Sequence, residues 1–333
     1  MIRLILIVIF AIIIFFASLI MLPVFWLIGK FNQDAKDRGS LRFVQGVFKV
    51  VLFLSGVTTT VKGLENLPKD GEAVLFVGNH HGFFDTIMSY TYMKPRTGFV
   101  AKKEIEKVPL LNIWMKYLYC LFLDRKNMKE GLKTILTGID YLKAGTSIVI
   151  FPEGTRNDGK HMLEFKGGSF KLAEKSGCRI IPMVQNNTAA ALEDHLPFFK
   201  KTHTVLEFGK PIDVASMDRE QKKTLANDVQ DHVLAGDVRV QLALENKLDS
   251  RRYLEPSLAD RHAACHIGRA DTGRECTQCT VCAGVRVCAD NNVTGNDQSF
   301  FRQQGMFDTH LTNVIEVGDL LFAAEIAAHF TLC

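Results

Sequence analysis

Residues 4 to 28 read LILIVIFAIIIFFASLIMLPVFWLI, an apolar run of 25 positions without a charge. As a helix rising about 1.5 Å per residue, it exceeds a hydrocarbon core of about 30 Å. Most of its side chains favour insertion by roughly 0.3–0.6 kcal/mol each near the bilayer centre. The run predicts a membrane helix over 4–28, with Pro23 at a kink point and Trp26 at the lipid–water boundary. A cleaved signal peptide is the competing reading, but the run is too long and lacks a small-residue cleavage site. Lys30, Lys36, Arg38 and Arg42 follow the run, and only Arg3 and the amino terminus precede it. The positive-inside rule then puts the rest of the chain on the cytoplasmic side of a single span. A second apolar stretch, 43–57, contains Gln45 and Lys49. It reads as an interfacial helix lying in the membrane surface, with the first helix of a globular domain as the other reading. Residues 1–58 are the expected anchor.

The remainder of the 333 residues alternates short apolar runs with helical stretches. AVLFV (73–77), 98–101, 118–123, SIVIF (147–151), 180–184 and 204–208 read as strands. Residues 85–93, 129–143, 170–176 and 215–248 read as helices, the second with Leu132, Ile135, Leu136 and Ile139 on one side. Strands alternating with helices argue for an α/β sheet. A hydrophobic share of 47% against 23% charged excludes wholesale disorder. The 40 basic and 36 acidic residues leave a net charge of +4, too small to suggest a nucleic-acid partner. Cys120 and Cys178 are the cysteines of the first 250 residues, so no disulfide scaffold runs through the chain.

Two segments carry chemistry. NHHGFFD (79–85) follows the first of these strands. His80 and Asp85 meet only if the histidine lies in a turn and the aspartate in the first helical turn, which is the pattern here. Such a carboxylate fixes the imidazole tautomer, and the other ring nitrogen then accepts a proton from a hydroxyl. His81 competes with His80 for that role, and a helix-capping aspartate beside an unrelated histidine is the bland alternative. FPEGTR (151–156) follows the strongest strand signal and presents Glu153 and Arg156 from a Pro/Gly turn. Arginine suits phosphate because its planar fork donates two parallel hydrogen bonds. A surface turn whose Glu and Arg pair with each other is the alternative. Lys102, Lys103, Arg125 and Lys166 flank strand ends. No G-x-S-x-G elbow or phosphate-binding G-x-x-x-x-G-K-S/T loop occurs, so direct attack by a substrate hydroxyl fits better than a covalent intermediate.

Taken in order, NHHGFFD, FLDR (122–125) behind AKKE (101–104), FPEGTR with FKGGSF (165–170), and IPMV (181–184) resemble the glycerophospholipid acyltransferases of the lysophosphatidate acyltransferase type. The similarity runs from about Gly63 to Val214. It implies an α/β fold, a mixed sheet flanked by helices, over residues 59–250. It implies transfer of a fatty acyl group from a thioester of coenzyme A or acyl carrier protein to the free hydroxyl of 1-acylglycerol 3-phosphate, giving phosphatidate. His80 would be the general base and Asp85 its partner. Glu153 and Arg156 would contact the glycerol phosphate, with Gly154 and Thr155 shaping the loop. Arg125, Lys102, Lys103 and Lys166 would help hold phosphate, and Pro182 would shape the acyl-chain side. No metal or other cofactor is implied. Two positions depart from the pattern. Gly167 stands where a second basic residue is common, and Gln185-Asn186-Asn187 after IPMV is unusually polar.

Acylation of another lysophospholipid or of glycerol 3-phosphate remains open. So do a hydrolase using water in the same pocket and a membrane-anchored lipid-binding protein. Residues 251–333 fall outside the pattern and are expected to be a poorly ordered, Cys-rich extension. There Cys276, Cys279, Cys282 and Cys288, with Cys265-His266 nearby, have spacing open to zinc or an iron–sulfur cluster. A short helix is expected over 319–330.

Overall fold

Asn32 divides the start of the chain into two helices, α1 (Ile2–Phe31) and α2 (Gln33–Ser55). Its side chain accepts the Ala35 N–H at 2.9 Å and caps α2. The structure, a computed structural model, describes residues 1–157 and 161–245. Among these, α1 is the one helix long and apolar enough to cross a membrane, by length and composition. α2 doubles back along α1. A β-carbon on Gly39 would lie 2.5 Å from the Phe25 ring, so the missing side chain permits the close approach. At the far end the Arg3 guanidinium reaches Gly56.

α2 contains the helix expected over 43–57 with different bounds. It begins ten residues earlier, stops where Gly56 turns left-handed at φ 78°, and gives up Val57 to a strand. It is also fastened to the domain. Leu41, Val44 and Phe48 pack among Phe76, Met88 and Phe208. The buried Asp37 accepts Tyr119 Oη at 2.8 Å and Arg96 Nε at 3.0 Å. One face of α2 thus packs on the domain, while Val50 and Phe53 stay exposed. The expected anchor boundary at 58 accordingly falls inside a strand.

Seven strands form one mixed sheet: β1 (Val57–Lys62), β2 (Val74–Gly78), β3 (Thr97–Lys102), β4 (Leu121–Leu123), β5 (Ser147–Ile150), β6 (Arg179–Asn186) and β7 (Thr202–Phe208). Their order is β1-β7-β6-β2-β5-β3-β4. Pairing is parallel except between β6 and β7. The central strands are apolar on both faces, as sheets covered by helices on both sides must be. Leu75, Val77, Ile148, Ile150 and Ile180 face one core. There they meet α5 (Met128–Lys143), α6 (Lys171–Ser176) and α7 (Arg219–Glu245). Val74, Phe76, Val149, Ile181 and Met183 face the other. That side is covered by α2 and α3 (Phe84–Tyr90).

Other expectations shift in detail. The strand over 118–123 shrinks to β4, because Leu118 follows an unanticipated short helix, α4 (Leu111–Tyr117), and Tyr119 turns at φ 60°. α4 is held to α1, with Trp114 Nε1 donating to Ser18 Oγ at 3.0 Å and Tyr117 Oη to the Leu22 carbonyl at 3.2 Å. In α5 the buried face holds Gly131, Gly138, Ile139 and Leu142, whereas Leu132 and Leu136 are exposed. The cysteine cluster at 265–288 and the helix expected at 319–330 lie outside the described residues.

Candidate active site

Parallel strands deliver their following loops to one edge, and here every expected site segment leaves that edge. The His80 turn follows β2, FPEGTR follows β5, Lys102 closes β3, and Arg125 lies two residues past β4. β5 pairs with both β2 and β3, and β3 with β4, so the four loops are neighbours.

His80 Nδ1 lies 2.8 Å from Asp85 Oδ2. The same oxygen accepts the backbone N–H of His81 at 2.6 Å and of Gly82 at 2.8 Å. Oδ1 accepts Thr188 Oγ1 at 2.5 Å. Burial works to raise the Asp85 carboxyl, but the hydrogen bond and charge of His80, the charge of His81 and the Thr188 hydroxyl outweigh it and hold it below the ordinary range. An ionised Asp85 accepts only, so His80 Nδ1 carries the proton. Nε2 has no protein partner among the described residues. The ring stacks on Phe151, with centroids 4.4 Å apart and planes 10° from parallel. Of the two histidines, His80 is the one whose ring meets Asp85. The His81 ring is buried, with Nε2 2.8 Å from Asn79 Nδ2. Asn79 is itself fixed by the Gln185 backbone, donating to its carbonyl at 2.7 Å and accepting its N–H at 2.8 Å. That orientation aims the second Asn79 N–H at His81 Nε2, which also lies 3.5 Å from Asp237 Oδ2.

FPEGTR is turned by Gly154 at φ 80°, where a β-carbon would lie 2.6 Å from Lys166 Nζ. Lys166 thus lies over the turn, and Thr155 is half-buried in it. Glu153, expected to contact the acceptor, is engaged by the protein itself. It is buried, and its oxygens accept the His80 N–H at 2.7 Å, Asn157 Nδ2 at 2.7 Å and the Leu163 N–H at 2.9 Å. Burial nonetheless pushes its carboxyl up, against those bonds. The Asn157 N–H donates to the His80 carbonyl at 2.8 Å, stitching the two turns together. Arg156 Nη1 donates to Glu193 Oε1 at 3.0 Å. Lys103 is turned to Glu106 at 2.6 Å, and no hydrogen bond joins it to the His80 turn among the described residues.

The polar run after IPMV has a physical cause. Gln185 and Asn186 are buried, Gln185 bonding Asn79 through its backbone and Asn186 Nδ2 donating to Asp237 Oδ1 of α7 at 2.7 Å. Pro182 is also buried, in β6 opposite Val77. Thr188, Asn157, Glu193 and Asp237 escaped the sequence reading, since only the fold brings them to the turn. Asn79, beside His80, was within reach of it.

The acyltransferase family model matches residues 58–186. A 1-acyl-sn-glycerol-3-phosphate acyltransferase of Borreliella burgdorferi is 30% identical over 198 residues, covering 59% of this chain and 78% of its own length. One of Saccharomyces cerevisiae is 28% identical over 190 residues, covering 56% and 62%. The crystal structure of the 1-acyl-sn-glycerophosphate (LPA) acyltransferase, PlsC, from Thermotoga maritima shares the fold. Its TM-score is 0.56 at 23% identity, over 68% of this chain and 97% of that one.

Proposed function

The chain belongs to the acyltransferase family, and from that premise we propose that it acylates the free hydroxyl of 1-acylglycerol 3-phosphate from a fatty acyl thioester, giving phosphatidate. The observation that carries the reading is His80 with Nδ1 tied to an ionised, buried Asp85 and Nε2 without a protein partner among the described residues, one hydrogen bond away from the loop that presents Arg156. The names of the relatives supply the acceptor.

The step runs through this chain's own groups. Arg156, with Lys166 over its turn and Lys102 and Arg125 at the same edge, holds the phosphate. His80 Nε2 takes the proton of the acceptor hydroxyl as its oxygen attacks the thioester carbonyl. The C–S bond breaks, an ester bond forms, and the departing thiolate takes the proton from His80. General-base help of this kind is typically worth about 10²–10⁴-fold, and positioning supplies much of the rest. Gly154 and Thr155 shape the turn, and Glu153 acts on His80 through its backbone. The donor is a thioester of coenzyme A or acyl carrier protein.

Attachment to the bilayer through α1 belongs to the same proposal, with the catalytic domain on the cytoplasmic side. Arg3 at Gly56 and Phe25 at Trp114 hold both ends of α1 to the domain. This favours a helix embedded alongside the domain over one that leaves it to span.

The test feeds membranes carrying the protein a labelled acyl thioester with a panel of lysolipids and identifies the product. Labelled phosphatidate from 1-acylglycerol 3-phosphate is the expected result. Free fatty acid alone would point to a hydrolase, and no turnover with any acceptor would defeat the reading.

A further inference from the structure

Glu193 sits in a short turn, Glu193–His195, beyond the last residue that the family model matches. One of its oxygens serves both chemical loops. Oε1 accepts Arg156 Nη1 from the FPEGTR loop at 3.0 Å and the Phe83 N–H from the His80–Asp85 turn. Oε2 is buried and has no hydrogen-bond partner among the described residues. It abuts the same turn, where a β-carbon on Gly82 would lie 3.0 Å from it. A single carboxylate thus joins the guanidinium to the backbone three residues past His80. Burial raises this carboxyl, and the bond from the Phe83 N–H and the charge of Arg156 oppose that.

We infer that Glu193 is a specificity-determining residue: by tying Arg156 to the His80 turn it sets the spacing between phosphate anchor and base, and so selects which glycerol hydroxyl is acylated. In a 1-acylglycerol 3-phosphate the free hydroxyl is on C2, one carbon from the phosphate-bearing C3. In the 2-acyl isomer it is on C1, one carbon farther away. With the phosphate fixed on Arg156, a rigid spacing admits one of these oxygens to His80 Nε2 and misplaces the other. Misplacement of a reacting atom by about 1 Å can cost on the order of 10²-fold in rate, so a tie of this kind is enough to discriminate. The Asn157–His80 backbone bond ties the loops at a second point, but it fixes backbone only.

The inference rests on Arg156 holding the phosphate, and the experiment separates the two. The full-length protein is assayed with ether-linked 1-alkyl- and 2-alkylglycerol 3-phosphate, which cannot exchange chains between hydroxyls. The readout is the ratio of kcat/KM for the two. Glu193→Ala is expected to lower the parent's preference by about tenfold or more. Glu193→Asp, which draws the carboxylate back by one methylene, is expected to lower it in the same direction and decides the matter if the alanine variant does not fold. Glu193→Gln keeps an oxygen for both N–H donors and is expected to retain the preference. A variant that loses rate equally on both isomers, with the ratio unmoved, would overturn the inference and leave Glu193 a structural cap. Arg156→Gln should weaken use of both isomers. If it does not, the phosphate reading fails, and this inference with it.

Discussion

The Glu153 carboxylate and the backbone N–H of His80, 73 residues apart in sequence, meet at 2.7 Å. The glutamate of one loop therefore holds the main chain of the base in the other. Its remaining bonds, to Asn157 and Leu163, anchor its own loop. Glu153 is a positioning residue in this arrangement, and its removal should disturb the rate more than the affinity for phosphate.

Glu153→Gln tests this directly. Three N–H donors converge on the carboxylate, and the amide has one oxygen, so at least one donor faces an NH2 group. A buried donor left unsatisfied costs about 1–3 kcal/mol, and loss of turnover by about 10–100-fold is expected as His80 shifts. Denaturant unfolding and steady-state kinetics measure the two effects. Parent-like kcat in the purified variant would show that the bond to His80 does not position the base.

His80→Ala should cut kcat by about 10²–10⁴-fold, the usual worth of a general base. Asp85→Asn should fall comparably, because four donors converge on Asp85 and an amide cannot accept them all. Both positions lie outside α1, so co-sedimentation with membranes should match the parent. Near-normal turnover by either purified variant sinks the assignment.

Thr188 gives a prediction in pH. Its hydroxyl is among the groups that lower the Asp85 carboxyl. A carboxyl with a lowered folded pKa adds stability above its unfolded value, about 3.9, and that contribution is lost as pH falls through the folded value. Thr188→Val removes one donor, so the Asp85 pKa rises. The acid limb of kcat/KM should move to higher pH, and the stability that Asp85 contributes should be smaller and be fully lost at higher pH, with the neutral-to-basic side of the activity profile unmoved. Thr188→Ser should restore the parent profile. Superimposable acid limbs for parent and valine variant would remove Thr188 from the network.

Legibility followed distance along the chain. His80 and Asp85 share one strand–turn–helix unit, so their meeting could be read from seven residues. β2 and β5 announced themselves as apolar runs with buried faces on both sides. β1, VTTTVK, has threonines where an alternating strand would show apolar residues, and it belongs to the sheet because β7 pairs with it. The start of α2 is polar because Asp37 is buried for Arg96 and Tyr119 rather than for an apolar core, a pairing only the fold supplies. Gln185 and Asn186 looked like a departure from the family pattern for the same reason. Their partners, Asn79 and Asp237, lie 106 residues before and 51 residues after them. The protein partners of Glu153 and Arg156 were equally hidden, since they come from His80, Leu163 and Glu193.

α7 sets where the working unit ends. It lies wholly beyond the residues that the family model matches. It nevertheless inserts Leu225, Val229 and Val233 into the core under the sheet. Gln230 accepts the Phe165 N–H at 2.9 Å, beside Lys166, and Asp237 holds Asn186. Full burial of three such aliphatic side chains is worth roughly 1.5–3 kcal/mol each, comparable in sum with the whole stability of a domain, about 5–15 kcal/mol. A chain ending at Met217 should therefore fail to fold or lose activity. A chain ending at Ser250 keeps every group named in the site and should retain most of its turnover. Expression of both truncations, with unfolding followed by circular dichroism and product formation assayed on membranes, makes the comparison. An active chain ending at Met217 would show that α7 is dispensable. A well-folded but inactive chain ending at Ser250 would place a needed group beyond it.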